Sequence, residues 1–169
     1  MSIEKLTSLV PPPTAPVRAD VDWTETEAAL GLSLPAEFKE LVRLYGEGQF
    51  CDEFDTCSPG RLRIHNQELT AQWRSFREEH PGRFRLPLYP EPSGLLVWGF
   101  DNNGGALCWR TEGEPDAWQV VRWLRRDIAF HEWDGGAVEY LTAQIGSLLE
   151  EFEEEGEPVE APWFTPACP

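Results

Sequence analysis

The run Gly94-Leu95-Leu96-Val97-Trp98-Gly99-Phe100, the turn Asp101-Asn102-Asn103-Gly104-Gly105 and the return Ala106-Leu107-Cys108-Trp109-Arg110-Thr111 decide the fold. A nearly continuous apolar stretch of this length implies a strand over 95–100 that is buried on both faces. Asn and Gly tolerate positive φ, so 101–105 reads as a turn that brings the chain back as a partner strand over 106–111. Residues 112–116 form a second polar turn, 117–124 a third strand and 128–133 a fourth. Trp98 and Trp109 flank the hairpin and read as core, because strand aromatics pack across the pair. Trp118 and Trp123 stand five apart on opposite faces, so one of them faces outward or lies under a helix.

Helical patterns flank this centre. Ile3, Leu6 and Leu9 share a helical spacing before Pro11-Pro12-Pro13, which predicts a short helix and a stiff connector to residue 19. Asp22 is placed to cap a helix over 23–30, with Glu25 and Glu27 near its positive end and Gly31 as its stop. Pro35 opens the next helix, where Phe38, Leu41, Val42 and Tyr45 form one buried stripe and Gly46 ends it. Residues 62–65 read as a short strand and 69–79 as a helix carrying Leu69, Trp73 and Phe76. Val138, Leu141, Ile145, Leu148, Leu149 and Phe152 trace a helix face over 134–154, closed by Gly156 and Pro158. The whole predicts an α+β domain, with N-terminal helices and a C-terminal helix on one side of a mainly antiparallel sheet.

The charge narrows the partners. Thirty acids against 14 bases in 169 residues give a formal net charge of −16, which repels nucleic-acid phosphates and anionic lipid surfaces. With 41% apolar residues the chain can still build one core. Residues 1–10 lack the apolar centre of a signal peptide, and 94–100 is too short to span a bilayer. The four cysteines, Cys51, Cys57, Cys108 and Cys168, read as reduced thiols, and the expectation is a soluble cytoplasmic protein.

No cofactor or metal is expected. Cys51 and Cys57 are too loosely spaced for a zinc knuckle, and His65, His80 and His131 are far apart. Residues 101–112 count like a calcium loop, but Ala106 stands where Gly is needed and Gly105 has no side-chain oxygen, so a hairpin is the better reading. Cys108 reads as a buried apolar residue. Cys51 and Cys57 lie beside acids that raise a thiol pKa, the wrong direction for a nucleophile. No Gly-x-Ser-x-Gly, phosphate loop or dinucleotide fingerprint occurs. The remaining candidates are acidic: Asp52, Glu53 and Asp55 on a loop after Phe50; Glu112, Glu114 and Asp116 on a hairpin turn; and a Glu-rich run over 150–157 that includes Glu151 and Glu154. Their sum reads as an anionic face for a basic protein partner. Trp163-Phe164 is either a clamp docking back on the body or an exposed anchor.

The ordered set Trp23, Glu27, Leu30-Gly31, Leu34-Pro35, Phe38-Lys39 and Tyr45-Gly46 resembles the opening of the SUKH superfamily of bacterial immunity proteins and fungal cell-wall regulators. Gly94 to Gly99, Leu107-Cys108-Trp109, Trp118 to Val121 and Tyr140-Leu141 are similar to its centre and end. One departure is Asn103-Gly104-Gly105, where the pattern leads to an acid after Asn-Gly. The resemblance implies a SUKH-like domain over 20–155, preceded by a helix and Pro-rich connector over 1–19 and followed by an acidic, Pro-rich tail over 156–169. It also implies a non-enzymatic protein-binding module, in many bacterial members one that neutralises a polymorphic toxin, often a nuclease. A regulatory or scaffold module with a non-toxin partner is the alternative, and an enzyme is a third reading with no motif behind it. No binding residue carries over from the family, and the oligomeric state stays open.

Overall fold

The computed structural model describes residues 2–156 and 161–168. The helices are α1 (Ser2–Leu9), α2 (Trp23–Leu30), α3 (Ala36–Tyr45), α4 (Pro59–Glu79) and α5 (Ala137–Glu155). The strands are β1 (Gly48–Phe50), β2 (Phe54–Thr56), β3 (Leu95–Asp101), β4 (Ala106–Arg110), β5 (Gln119–Leu124), β6 (Ala129–Trp133) and β7 (Phe164–Pro166). They form one sheet in the order β6-β5-β4-β3-β2-β1-β7, with every neighbouring pair antiparallel.

Side chains alternate across the strands and build two cores. Leu96, Trp98, Leu107, Trp109, Trp118 and Val120 join Leu6, Phe38, Tyr45, Leu141 and Ile145 in the larger one, under α1, α3 and α5. Leu95, Val97, Cys108, Val121 and Trp123 join Trp73, Phe84 and Leu88 in the second. The opposed placement of Trp118 and Trp123 is thus as expected, with Trp123 against Trp73 of α4. In the larger core Phe38 meets Trp23, Trp98 and Trp109 edge-on, at ring separations of 6.0, 6.1 and 4.8 Å. Such pairs contribute about 0.5–1.5 kcal/mol each beyond their burial.

The helix signals near the N-terminus act as predicted. Asp22 accepts the Thr24 N–H at 2.9 Å, and Gly31 closes α2 in the left-handed conformation. The stripe Phe38, Leu41, Val42 and Tyr45 is buried.

Two features depart from the sequence reading, and a third decides between alternatives it left open. Residues 62–65 are not a strand: α4 runs unbroken from Pro59, where proline suits the first turn. Second, the helices are not confined to one side. Leu62, near the start of α4, belongs to the larger core, whereas Trp73 belongs to the second, so α4 passes from one face of the sheet to the other. It crosses where β2 ends at Thr56, and there the Asn66 side chain replaces a strand. Its Oδ1 accepts the Val97 N–H at 2.8 Å, and its Nδ2 donates to the Val97 carbonyl at 2.9 Å. Third, both flanking segments pack onto the domain. Tyr45 donates its hydroxyl to the Val10 carbonyl at 2.6 Å, and Phe164 of β7 lies against Tyr45 and Phe50. Phe164 is therefore the docking clamp, while its neighbour Trp163 stays 37% exposed.

Candidate functional site

The acidic residues do not converge on one patch. Phe54 pairs with Asp101 and Ala106 with Trp123, so the turns β1–β2, β3–β4 and β5–β6 share one end of the sheet. Asp52 is exposed there and Glu53 half-buried. The connection from β4 to β5, with Glu112, Glu114 and Asp116 exposed, lies at the opposite end. Glu151 and Glu154 are exposed on the last turns of α5, and the continuation of that acidic run at 157–160 lies outside the described residues.

Some of these carboxylates are committed to the fold. Asp116 Oδ1 accepts the Ala36 N–H at 2.7 Å, which caps α3 where Pro35 offers no side-chain acceptor. Asp55 sits within β2, not in a loop, and burial raises its carboxyl pKa against the pull of Gln49 and Arg61. Burial, then the nearby Asp101 charge, pushes Glu53 the same way.

Beside Glu53 lies the buried polar centre of the sheet. Asp101, its side chain 1% exposed, receives Arg122 Nε at 3.0 Å and Nη2 at 2.8 Å on Oδ2. Its Oδ1 receives the N–H groups of Asn103 and Gly105 at 3.0 and 2.7 Å. The acid that opens the calcium-like count is therefore turned inward, with both oxygens engaged. The same geometry accounts for Gly105, the departure from the family pattern. A Cβ there would come within 2.3 Å of Asp101 Oδ2 and 2.6 Å of the Trp123 carbonyl, so no side chain fits.

Away from these turns, α4, the end of α2 and the loop at Tyr89-Pro90 enclose a groove of about 390 Å³. Arg63, Gln67, Thr70 and Arg74 line it from α4, Ala29 and Leu30 from α2, and Ile64 is 52% exposed beside it. The loop is fastened twice. Tyr89 donates its hydroxyl to the Leu30 carbonyl, and Arg77 grips Glu91 through Nη1 at 3.0 Å and Nη2 at 2.7 Å. That grip, with the Leu88 N–H on the same carboxylate, lowers the Glu91 pKa to about 2. The sequence reading did not find this groove, because it assigned Arg63 to a strand and Arg74 to a separate helix. A helical spacing of 63, 67, 70 and 74 is the signal that carries it.

The family profile of SUKH_6, described as SMI1-KNR4 cell-wall, matches residues 20–141, more than two thirds of the chain. The chain belongs to the SUKH superfamily. No characterised protein matches it at a significant level. Most of the apolar residues that carry the SUKH resemblance, among them Leu34, Phe38, Tyr45, Trp98, Trp109, Trp118 and Tyr140, are in the larger core, while Leu95, Val97, Cys108 and Val121 are in the second. Their burial ties the resemblance to the packing of the fold. In this SUKH protein no helix among the described residues is long and apolar enough to cross a membrane.

All four cysteines are free. Burial pushes the Cys57 thiol up to about 12, raises Cys108 well above its ordinary value, and raises half-buried Cys51. A thiol-specific reagent under mildly alkaline native conditions will therefore modify exposed Cys168 first and Cys51 slowly. Cys57 and Cys108 will react only as the protein unfolds. Counting modified thiols before and after denaturant checks this, and rapid native labelling of Cys108 contradicts it.

Proposed function

We propose that this SUKH protein is a cytoplasmic, non-enzymatic binding module of the immunity type, which docks on a basic toxin domain and neutralises it. The family supports a protein-interaction module in general. The observation that carries the finer reading is the fate of the charges. Among the described residues seven basic side chains, from Arg18 to Arg122, are held in close internal ion pairs, and Arg63 touches the exposed Glu25 at 3.4 Å. Glu112, Glu114, Glu151 and Glu154 point to solvent and make no ion pair among the described residues. The excess of acid thus lies on the outside, where it steers a cationic protein toward the surface and speeds association at low salt. The described cysteines and carboxylates offer no activated nucleophile, which fits a module that acts by occupancy.

The test pairs the purified chain with a basic effector domain encoded beside its gene. Association is expected to weaken steeply between about 0.05 and 0.2 M salt, mainly through a slower on-rate, and the effector's toxicity is expected to fall. Reversal to Lys at Glu112 and Glu114, compared with reversal at Glu151 and Glu154, identifies which acidic face engages. No binding at low salt, or binding indifferent to salt, overturns the electrostatic reading. Salt-independent binding to a non-toxin protein favours the regulatory or scaffold role that the cell-wall description of the family suggests.

A further inference from the structure

We propose that the groove between α4, the end of α2 and the Tyr89-Pro90 loop binds an extended, acidic peptide segment. The site is separate from the anionic surfaces described above, and neither assignment depends on the other.

Four residues of α4 stand in one line at i, i+4, i+7 and i+11: Arg63, Gln67, Thr70 and Arg74. At a rise of about 1.5 Å per residue the two arginines lie about 16 Å apart along the helix, one at each end of the line. Between them are neutral polar groups, and the opposite wall is apolar, made by Ala29, Leu30 and Pro90. Both arginines are exposed. Arg63 reaches Glu25 at 3.4 Å, a carboxylate that is itself 88% exposed, and Arg74 has no ion pair among the described residues. Glu91, whose carboxylate feels the Arg74 charge, is already held by Arg77.

Thr70 gives the second, independent sign. It lines the groove at 5% exposure, and its hydroxyl has no hydrogen-bond partner. The other buried donors in that condition are the indoles of Trp98, Trp109 and Trp133. An unpaired hydroxyl in a buried position carries a desolvation cost that an incoming acceptor removes. The walls are pinned by Tyr89 on Leu30 and by Arg77 on Glu91, so little ordering is required when a ligand enters.

The spacing selects the occupant. An extended chain advances about 3.3 Å per residue and alternates its side chains, so two carboxylates four positions apart lie on one face about 13 Å apart. That is within reach of both long guanidinium side chains, each in a bidentate pair. The intervening backbone then passes Gln67 and Thr70, and an apolar side chain falls against Leu30. At about 0.15 M salt the Debye length is near 8 Å, which screens the groove from the more distant acids of the chain.

The probe is a fluorescein-labelled synthetic peptide with two aspartates four positions apart and a leucine one position after the first, facing the opposite wall. Its control carries asparagine at both positions. Anisotropy with the full chain at about 0.15 M salt is expected to show binding of the aspartate peptide and at least tenfold weaker binding of the control. Arg63→Gln and Arg74→Gln are each expected to weaken binding about tenfold with unchanged thermal melts, and Thr70→Val severalfold with a melt that is unchanged or raised. If a variant does not fold, the readout is the amide shift map of the unaltered chain on adding the peptide, which must centre on Gln67, Thr70 and Tyr89. Equal binding of both peptides, no binding at millimolar concentration, insensitivity to both arginine substitutions, or shifts centred elsewhere overturns the proposal. So does glutarate displacing the peptide at matched concentration, since that assigns the site to a free dicarboxylate. Charge reversal at Glu112 and Glu114 is expected to leave peptide binding intact, which separates this outcome from that of the toxin-binding test.

Discussion

Asp101→Asn is expected to destabilise the protein by about 3–5 kcal/mol, the cost of breaking a buried ion pair from one side. Asp101 is 7% exposed and its carboxylate takes four hydrogen bonds, two from Arg122 and two from the turn it closes. The amide of the variant keeps one acceptor but turns a donor toward Arg122, or toward the N–H groups of Asn103 and Gly105. Arg122 is then left with Tyr140, whose hydroxyl is 3.5 Å away, and with the face of the Phe54 ring at 5.8 Å. Neither neutralises a guanidinium. Glu53, whose carboxylate also feels the Arg122 charge, is pushed toward its neutral form by burial and offsets only part of the loss. Urea denaturation reads the effect as a lower midpoint at unchanged slope. For a chain of this length the melting temperature falls by about 10 °C. Arg122→Met in the same background is expected to recover part of the loss, because the pair removed together leaves no orphan charge. A single variant within about 1 kcal/mol of the unaltered protein contradicts this account of the sheet centre.

Asn66→Leu is expected to cost about 3–4 kcal/mol, although it substitutes an apolar residue at a site that is 2% exposed. The hydrophobic gain is outweighed because Val97 loses partners for both its N–H and its carbonyl at the point where β2 has ended. Each orphaned buried group costs about 1–3 kcal/mol. Asn66→Asp separates this cause from simple packing. The aspartate keeps the acceptor for Val97 N–H but loses the donors to Val97 and Leu62, and it places a charge in the interior. Burial raises its folded pKa, so the part of the penalty due to charge is absent below about pH 4, where both states are protonated, and grows as pH rises through the raised value. The loss of one donor remains throughout. Stability of this variant measured against the unaltered chain across that range checks the sign. A penalty independent of pH overturns it.

What the sequence revealed and what it hid follow from the length of each signal. The 95–100 run is apolar almost without a break and the Phe38 to Tyr45 stripe holds its spacing over two helical turns, and both elements lie where those signals place them. Strands β1 and β2 have three residues apiece, too few to display alternation, so Asp55 looked like loop. The start of α4 misled for a different reason. Leu62 and Ile64 alternate with arginines as in a strand, and Pro59-Gly60 resembles a break. The residues face different ways: Leu62 is in the larger core while Ile64 is half-exposed over the groove. That error cut the line from Arg63 to Arg74 in two and hid the groove with it. The acidic residues were legible one by one, but their dispersal to opposite ends of the sheet depends on register, which no local pattern contains.

The outermost strand β7 also has a bearing on the order in which the molecule assembles. It pairs Gly48 with Pro166, residues more than a hundred positions apart, through a ladder only three residues long. Closing so wide a loop costs entropy that a few hydrogen bonds and the Phe164 ring offset only once β1 is already in place. That strand is expected to pair late in folding and to open before the rest of the sheet in amide exchange. When it lifts, the edge of β1 and the ring of Phe50 become a template for another strand, so the closing residues of the chain act as a guard against unwanted pairing.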